Sequence, residues 1–257
     1  MNIAKKCNKV IVILGPTGSG KTEVAIKIAR AIGGEIISAD SRAIYKGMNI
    51  GTMKPSMMER QGVPHFGLDL VEPDERFTVS DFKSYALEKI MEIKKRGQIP
   101  IIVGGTGLYI DALVYDYQFK SVVGGSQKQA PDRGRIDARY LLIGIKWKKE
   151  ELRKRLKERV NKLFVQDLYF ETEELVKKYG FFNGAMTANI YKYAFGYLQG
   201  EISLEEAKER CFYADWHLAR RQMTWFRRTL DIHWLELEKI YQPGRSEERR
   251  VGKECRS

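Results

Sequence analysis

A glycine-rich turn near the start of the chain constrains the fold most strongly. Residues 13–24 read ILGPTGSGKTEV, and residues 15–22 fit the pattern G-x-x-x-x-G-K-[ST]. The turn follows a continuous apolar run, Val10–Leu14, which is typical of a strand buried on both faces of a parallel sheet. A helical pattern over residues 22–32 comes next, and a Gly-Gly pair ends it. A strand, a glycine turn and a helix in this order predict a phosphate-binding loop.

The residue types in this loop suit phosphate. Glycines let backbone N–H groups converge on phosphate oxygens, and the following helix directs the positive end of its dipole there. Lysine supplies a point charge, and the threonine hydroxyl can ligate Mg²⁺. The candidate phosphate-binding residues are Gly15, Pro16, Thr17, Gly18, Ser19, Gly20, Lys21 and Thr22, with Thr22 as the metal ligand. A bare glycine turn is the alternative, and the motif alone does not say which molecule carries the phosphate.

Two more strand and turn units follow the first. A short strand around Ile36 ends at Asp40, and IPIIVGG at residues 99–105 forms another. Between them we expect a helix capped by Ser80 and ended by Gly97. This alternation predicts an α/β fold with a P-loop NTPase-like parallel sheet flanked by helices. Because ligands bind at the carboxyl ends of parallel strands, the polar turns at residues 15–22, 40–42 and 104–107 should meet in one site.

The second half of the chain is predicted to be helical. One helix carries an apolar stripe from Leu152 to Leu163, and Ser203 begins a long helix with the pattern of a capping box. The face of that long helix predicted to lie toward the core is formed by Ala207, Cys211, Ala214, Leu218 and Trp225. Residues 120–139 are polar and contain glycines, so we predict an exposed linker within one core of residues 1–244.

Composition limits the classes of function. The chain has 257 residues and a net charge of +12, which favours a polyanionic partner such as nucleic acid. Three cysteines without C-x-x-C spacing suggest neither disulfides nor a zinc site, as expected in a reducing cytosol. No apolar run approaches the roughly 20 residues that span a bilayer. We therefore expect a cytoplasmic monomer that does not engage a membrane.

The last thirteen residues, RSEERRVGKECRS, are set aside in fold reasoning. They resemble the translation of a common DNA-sequencing adapter, although a solvated charged tail is the alternative. The segment holds five basic and three acidic residues, so the net charge falls from +12 to +10 without it. The basic excess therefore does not depend on residues 245–257.

Several polar side chains could carry chemistry near the loop. Asp40 follows a strand and could be a general base or Mg²⁺ ligand, or a cap or turn residue. Thr106 follows the next strand in GGTG and could orient a substrate, or only close a tight turn. The stretch ARRQMTWFRR at residues 219–228 mixes arginines with aromatic rings, which suits nucleic acid, although a solvated helix face is common. Arg155 and Arg159 lie one turn apart, with surface solvation as the default reading.

The motifs taken in order resemble the tRNA isopentenyltransferase family. They are GPTGSGKT, EIISADSRAIYKGMNIGTMKP, GVPHFGLDLVEPDERFTVSDF, PIIVGGTGLYI and RRQMTWFRR. The resemblance is nearly continuous over residues 9–116 and looser over 140–240. It implies that the loop holds the diphosphate of dimethylallyl diphosphate rather than ATP. It also implies transfer of the prenyl group to the N6 amine of adenosine 37, beside the tRNA anticodon, with assistance from Mg²⁺.

The resemblance further implies roles for individual residues. Asp40 matches the general base, Thr106 the hydroxyl that places the amine and phosphates, and Arg159 an arginine near the diphosphate. The residues that match the tRNA side are Asp40, Ser41, Arg42, Ala43, Arg221, Gln222, Thr224 and Trp225. An anticodon stem-loop is thus the expected macromolecular partner, and the target base should leave its stack to reach the site.

The chain departs from the family pattern at several places. Ala43 stands where the family has glutamine near the target base, Phe66 replaces a frequent second histidine, and Ile190 stands where glycine is usual. Residues 120–139 are too short for the family's helical insertion, which grips the anticodon arm. Two other classes stay open: a small-molecule or nucleoside kinase, which would need ATP, and an RNA-binding relative without catalysis.

Overall fold

The computed structural model describes residues 9–119, 134–180, 185, 188–229 and 231–237. Most of the predicted 120–139 linker and all of the 245–257 tail lie outside them. The elements are β1 (Val10–Leu14), α1 (Lys21–Ile32), β2 (Gly34–Ser38), β3 (His65–Phe66), α2 (Val79–Lys95), β4 (Ile99–Gly104), α3 (Gly107–Val114), β5 (Tyr140–Lys146), α4 (Lys149–Leu163), α5 (Gln166–Tyr179), α6 (Asn189–Leu198), α7 (Leu204–Phe226) and β6 (His233–Glu236).

The six strands form one parallel sheet in the order β3-β2-β4-β1-β5-β6. The predicted parallel α/β sheet is therefore confirmed. The first strand of the chain is central, with Ile13 opposite Val103 of β4 on one side and Ile143 of β5 on the other. Since β2 lies beside β4, the turns after β2, β4 and β1 emerge side by side at one edge of the sheet.

Both faces of the sheet are buried, which explains the continuous apolar strands. Val12 and Leu14 face one core cluster that includes Phe82 of α2. Ile13 faces the opposite cluster, where it meets Ala25 of α1. Side chains alternate between the faces of a strand, so only a strand covered on both sides needs an unbroken apolar run. This double cover holds β1 rigidly beneath the phosphate-binding loop.

Helices α4–α7 build a second core beside the sheet. Its buried members include Leu163 of α4, Leu168 of α5, Tyr191 of α6 and Cys211 of α7, and Met48 joins it from the segment after β2. The predicted helical second half is confirmed. Among the described residues, no helix combines the length and the apolar character needed to cross a membrane.

The start of α2 differs from the prediction. Thr78 caps this helix instead of Ser80, because its hydroxyl accepts the N–H of Asp81 at 3.2 Å while the Asp81 carboxylate accepts the N–H of Thr78 at 2.8 Å. These two reciprocal hydrogen bonds form a capping box, which satisfies two backbone N–H groups that have no acceptor within the helix. Ser80 lies inside the first turn.

The buried face of α7 was also predicted only in part. Ala207 and Cys211 are buried as expected, but the helix then buries Asp215, Ala219 and Phe226 in place of Ala214, Leu218 and Trp225. The reason is tertiary: α7 packs first on α6 and α4 and then reaches the sheet and α3, so its contact face changes along its length. This shift of the buried face places the carboxylate of Asp215 inside the protein.

A carboxylate from α5 organises the segment that follows β2. The two oxygens of Glu171 accept the backbone N–H groups of Asn49, Ile50 and Gly51 at 2.9–3.0 Å. Tyr191 also donates its hydroxyl to Glu171 at 2.7 Å. Hydrogen bonds to a charged acceptor are stronger than neutral ones. Glu171 therefore fixes the path of the chain after the turn that carries Asp40.

We predict that Glu171→Ala lowers the free energy of unfolding by about 2–4 kcal/mol, because three backbone donors lose a charged acceptor. Urea denaturation measures the change. Glu173→Ala, which removes an exposed carboxylate from the same helix, is the matched control and should change stability by less than about 0.5 kcal/mol. Equal stability of the Glu171→Ala variant and the control would contradict this role.

Candidate active site

The turns after β2 and β4 are bonded directly to each other. The hydroxyl of Thr106 accepts the N–H of Ser41 at 3.0 Å and donates to the hydroxyl of Ser41 at 3.2 Å. The backbone N–H of Thr106 also donates to the carbonyl of Ala39 at 3.3 Å. Thr106 therefore fixes the turn on which Asp40 lies, and the predicted meeting of these two turns is confirmed.

Glycines make this close approach possible. A Cβ atom at Gly104 would collide with the backbone of Ala39, and one at Gly105 would lie 2.6 Å from the side-chain nitrogen of Gln222. One at Gly107 would collide with the indole of Trp225. The GGTG sequence is thus a packing requirement as well as a tight turn.

Asp40 and Lys21 are close enough for their charges to interact. The carboxylate of Asp40 accepts the N–H of Arg42 at 2.8 Å, which fixes its orientation. Lys21 donates to the carbonyl of Pro16 at 3.3 Å. Burial lowers the pKa of Lys21 to about 8, with Asp40 acting to raise it and Arg159 to lower it. One anionic and two cationic groups therefore share the mouth of the loop.

Helix α4 covers the phosphate-binding loop, and the contact that Arg155 makes with the loop was not predicted from the sequence. The Arg155 guanidinium donates through Nε to the carbonyl of Gly18 at 3.1 Å and lies 4.4 Å from the ring centre of Trp147. Trp147 in turn donates its indole N–H to the carbonyl of Ser19 at 2.9 Å. Tryptophan and arginine together hold the loop from the side of β5. The only feature of the sequence that indicated a shared role for Arg155 was its spacing of one helical turn from Arg159.

Arg159 reaches the loop one helical turn further along. Its Nη1 donates to the hydroxyl of Thr17 and lies 3.8 Å from a carboxylate oxygen of Asp215, which is 9% exposed. Burial raises the pKa of Asp215, while the charge of Arg159 acts to lower it. The prediction that Arg159 lies at the loop agrees with this geometry. The burial of Asp215 beside Arg159 was not predicted, because the sequence around Asp215 is typical of an exposed part of a helix.

Two buried polar atoms at the loop have no hydrogen-bond partner among the described residues. They are the hydroxyl oxygen of Ser19 and Nε of Arg159. Because buried polar groups are nearly always paired in folded proteins, unpaired ones at a glycine-rich loop favour a polar ligand there. Gly18 and Gly20 have φ angles of 75° and 79°, the left-handed region that glycine tolerates best. These features fit a bound phosphate.

Gln222 bridges two of the three turns. Its side-chain oxygen accepts the N–H of Thr17 at 2.8 Å, and its side-chain nitrogen donates to the carbonyl of Gly105 at 3.0 Å. Both ends of the amide are thus used to hold the phosphate-binding loop against the turn after β4. Sequence reasoning placed Gln222 on the tRNA side, and the two long-range bonds add a positioning role.

The other residues predicted to contact tRNA differ in how exposed they are. Arg221 and Thr224 are exposed, and Arg42 is partly exposed and donates to the carbonyl of Ala185 at 3.4 Å. Trp225 lies against α3 and donates its indole N–H to Asp111 at 2.9 Å. Ala43 is 5% exposed and offers only a methyl group. The open surface is therefore formed mainly by the arginines and Thr224.

A metal site made by the protein alone is absent from the described residues, since no group of three or more His, Cys, Asp or Glu side chains could hold an ion. In proteins that bind phosphate substrates, Mg²⁺ is commonly held by one or two protein oxygens together with the substrate phosphates. Thr22, at the first turn of α1, supplies a hydroxyl in the position that the loop motif assigns to such an ion.

Comparison with known proteins identifies the family of this chain. A family model described as IPP transferase matches residues 43–126 and 121–229. A tRNA dimethylallyltransferase of Pelotomaculum thermopropionicum is 34% identical, with 93% of this chain and 94% of that protein covered. The alignment runs over 295 positions, more than the 257 residues here, so the relative has residues without a counterpart in this chain.

Two solved structures extend the comparison to the fold. A tRNA isopentenylpyrophosphate transferase from Staphylococcus epidermidis superposes with a TM-score of 0.79 at 32% identity, covering 90% of this chain and 94% of that one. The corresponding enzyme from Bacillus halodurans gives a TM-score of 0.80 at 28% identity, with 90% of each chain covered. The similarity thus extends over the sheet and the helical half together.

The pKa of Lys21 gives a pH dependence for ligand binding. A lysine with a pKa of about 8 is charged below pH 8 and neutral above it, so its attraction for a diphosphate is lost as the pH rises. We predict that the affinity of the wild type for dimethylallyl diphosphate, divided by that of Lys21→Ala, falls by about tenfold per pH unit above pH 8. Calorimetric titrations from pH 7 to 9.5 measure this ratio, and a constant ratio would contradict it.

Gln222 provides a second test of the site. We predict that Gln222→Ala weakens binding of dimethylallyl diphosphate by about tenfold, because the phosphate-binding loop loses its tie to the turn after β4. Thr224→Ala, an exposed position on the same helix, is the control and should bind the diphosphate normally. A Gln222→Ala variant that loses affinity for RNA alone would show that the residue contacts RNA without positioning the loop.

Proposed function

The chain belongs to the IPP transferase family, and we propose that it transfers a dimethylallyl group from dimethylallyl diphosphate to the N6 amine of adenosine 37 in tRNA, releasing diphosphate. The observation that carries this proposal is that Asp40, a carboxylate held in place by a backbone N–H, lies within electrostatic range of the half-buried Lys21 of a phosphate-binding loop. A base and a diphosphate site that share one space suit the alkylation of an amine.

The reaction needs a proton acceptor on one side and a leaving group on the other. The lone pair of the N6 amine forms a bond to C1 of the prenyl group, and the bond between C1 and the diphosphate oxygen breaks. The diphosphate leaves with that electron pair, and the amine loses a proton. An exocyclic amine on an aromatic ring is a poor nucleophile, so a carboxylate that accepts this proton lowers the barrier.

Asp40 has the geometry for this base. One carboxylate oxygen is held by the N–H of Arg42, and Thr106 fixes the turn through Ser41. A base whose orientation is set before the substrate arrives costs little rearrangement during the reaction. In the proposed reaction the Thr106 hydroxyl also contacts the amine or a phosphate oxygen, in addition to positioning the turn through Ser41.

The phosphate-binding loop stabilises the leaving group. The charges of Lys21 and Arg159, together with backbone N–H groups at the end of the loop, stabilise the negative charge that grows on the departing diphosphate. Mg²⁺ held by the diphosphate and the Thr22 hydroxyl would supply further positive charge to the leaving group. The loop thus binds the part of the substrate that is released, whereas in a kinase it binds the donor of the transferred phosphate.

The basic surface beside the loop suits tRNA. The exposed Arg221 lies next to Gln222, which touches the phosphate-binding loop, and the whole chain carries an excess of positive charge. Arginine pairs with RNA phosphates, and an adenosine must be unstacked to reach a site between two turns. The proposed partner is therefore the anticodon stem-loop, whose target nucleotide is already in a single-stranded loop.

The proposal is tested by incubating the protein with labelled dimethylallyl diphosphate, Mg²⁺ and an anticodon stem-loop with adenosine at position 37. We expect label in the RNA, and none when inosine, which lacks the N6 amine, replaces that adenosine. Binding of the RNA without label transfer would support a non-catalytic relative, and phosphate transfer from ATP would support a kinase. Either result would overturn the proposal.

Asp40→Asn is predicted to slow single-turnover prenyl transfer by a factor of about 10²–10⁴, because an amide cannot accept the proton. The amide oxygen can still accept the N–H of Arg42, so the turn should be preserved. Affinities for the diphosphate and for the stem-loop, measured separately, should change by less than about threefold. Normal turnover by this variant would exclude Asp40 as the base.

A further inference from the structure

Helices α4 and α7 enclose an ion pair beside the phosphate-binding loop. Nη1 of Arg159 on α4 lies 3.8 Å from a carboxylate oxygen of Asp215 on α7, and the two side chains are 18% and 13% exposed. Buried, uncharged residues lie one turn away on the same helices: Leu156 on α4, and Cys211 and Ala219 on α7. The pair is therefore largely removed from water, where each charge depends on the other for its stability.

Arg159 connects this ion pair to the loop. Its Nη1 also donates to the hydroxyl of Thr17, and its charge acts to lower the pKa of Lys21. The 3.8 Å contact with Asp215 is longer than the roughly 2.7–2.9 Å of a charge-assisted hydrogen bond. Nε of Arg159 is buried and has no acceptor among the described residues. Asp215 thus balances the charge of the guanidinium and leaves its Nε–H group unused.

The charge balance around Arg159 changes when a diphosphate binds at the loop. In the ligand-free protein, Asp215 is the anion that a buried guanidinium requires. A diphosphate is a second anion for the same cation, and its negative charge is opposed by the negative charge of Asp215. The affinity for a diphosphate is therefore lower than it would be with a neutral side chain at position 215.

We propose that Asp215 is a positioning residue that acts as the counter-ion of Arg159, limits the affinity of the loop for diphosphate and so favours release of the product. This inference rests on the proposed function, because it takes diphosphate as the product. Free diphosphate has one more ionisable oxygen than its prenyl ester, since the oxygen that leaves C1 keeps the electron pair. Asp215 should therefore oppose the product more strongly than the substrate.

The test is calorimetric binding of inorganic diphosphate, with Mg²⁺ present, to the full chain and its variants. Asp215→Asn removes the negative charge and keeps the size of the side chain, so we expect diphosphate to bind about tenfold more tightly. Dimethylallyl diphosphate should gain less affinity than free diphosphate. Glu209→Gln removes an exposed carboxylate from the same helix, and this matched control should change either affinity by less than about twofold.

Thermal unfolding separates this role from a purely structural one. Asp215→Asn leaves a buried guanidinium without its anion, so the ligand-free variant should unfold at a lower temperature than the wild type. Saturating diphosphate supplies an anion and should raise the unfolding temperature of the variant more than that of the wild type. An equal loss of unfolding temperature with and without diphosphate, or a variant that stays unfolded in saturating diphosphate, would contradict the inference.

A second pair of variants tests whether Asp215 acts through Arg159. Burial raises the pKa of Asp215 and Arg159 acts to lower it, so a carboxylate without this cation should take up a proton. In an Arg159→Gln background, the further change Asp215→Asn should therefore alter diphosphate affinity by less than about threefold. Tightening of the same size in both backgrounds would show that Asp215 acts without Arg159, and this would overturn the inference.

The inference and the proposed function fail in different ways. Unchanged or weaker binding of diphosphate by Asp215→Asn would overturn the inference and leave the function untouched. Weaker binding would mean that the carboxylate orients Arg159 toward the ligand instead of opposing the ligand. Failure of the wild type to prenylate any stem-loop, with diphosphate binding intact, would overturn the function and leave the binding result standing on its own.

Discussion

The site depends on the close approach of the turns that follow β1, β2 and β4. Adjacent parallel strands bring these turns to one edge of the sheet, and Gly104 lets the backbone of Ala39 approach closely enough for direct hydrogen bonds. Any side chain at Gly104 would push the two turns apart. Thr106 and Ser41 then form hydrogen bonds between the two turns, and Asp40 lies within electrostatic range of Lys21. The separation between Asp40 and the phosphate-binding loop is therefore set by backbone packing.

Helices from distant parts of the chain complete the site. Arg155 and Arg159 of α4 bind the phosphate-binding loop from one side, and Gln222 of α7 ties it to the turn after β4 from the other. The loop is thus held at Thr17, Gly18 and Ser19 by side chains more than 120 residues away in sequence. A loop fixed in this way presents its N–H groups in a constant geometry, which suits the stabilisation of a leaving group.

Sequence reasoning was most successful where the signal is local. The bounds of β1, the glycine loop and the meeting of three turns follow from a buried strand and from the rule that ligands bind at strand ends. It failed where the deciding contact is long-range. The apolar pattern of α7 does not reveal that Asp215 is buried beside Arg159, and nothing near Trp147 indicates that its indole holds Ser19. The cap of α2 was misplaced by two residues because Thr78 and Ser80 are both suitable caps.

We propose that this loop, although of the nucleotide-binding type, binds a prenyl diphosphate. The most direct test is equilibrium binding of labelled dimethylallyl diphosphate in the presence of Mg²⁺, with unlabelled ATP or inorganic diphosphate as competitor. We expect inorganic diphosphate to displace the label and ATP to bind at least about tenfold more weakly than the prenyl donor, a difference of about 1.4 kcal/mol. Tighter binding of ATP than of dimethylallyl diphosphate would contradict it and would make the site a nucleotide site.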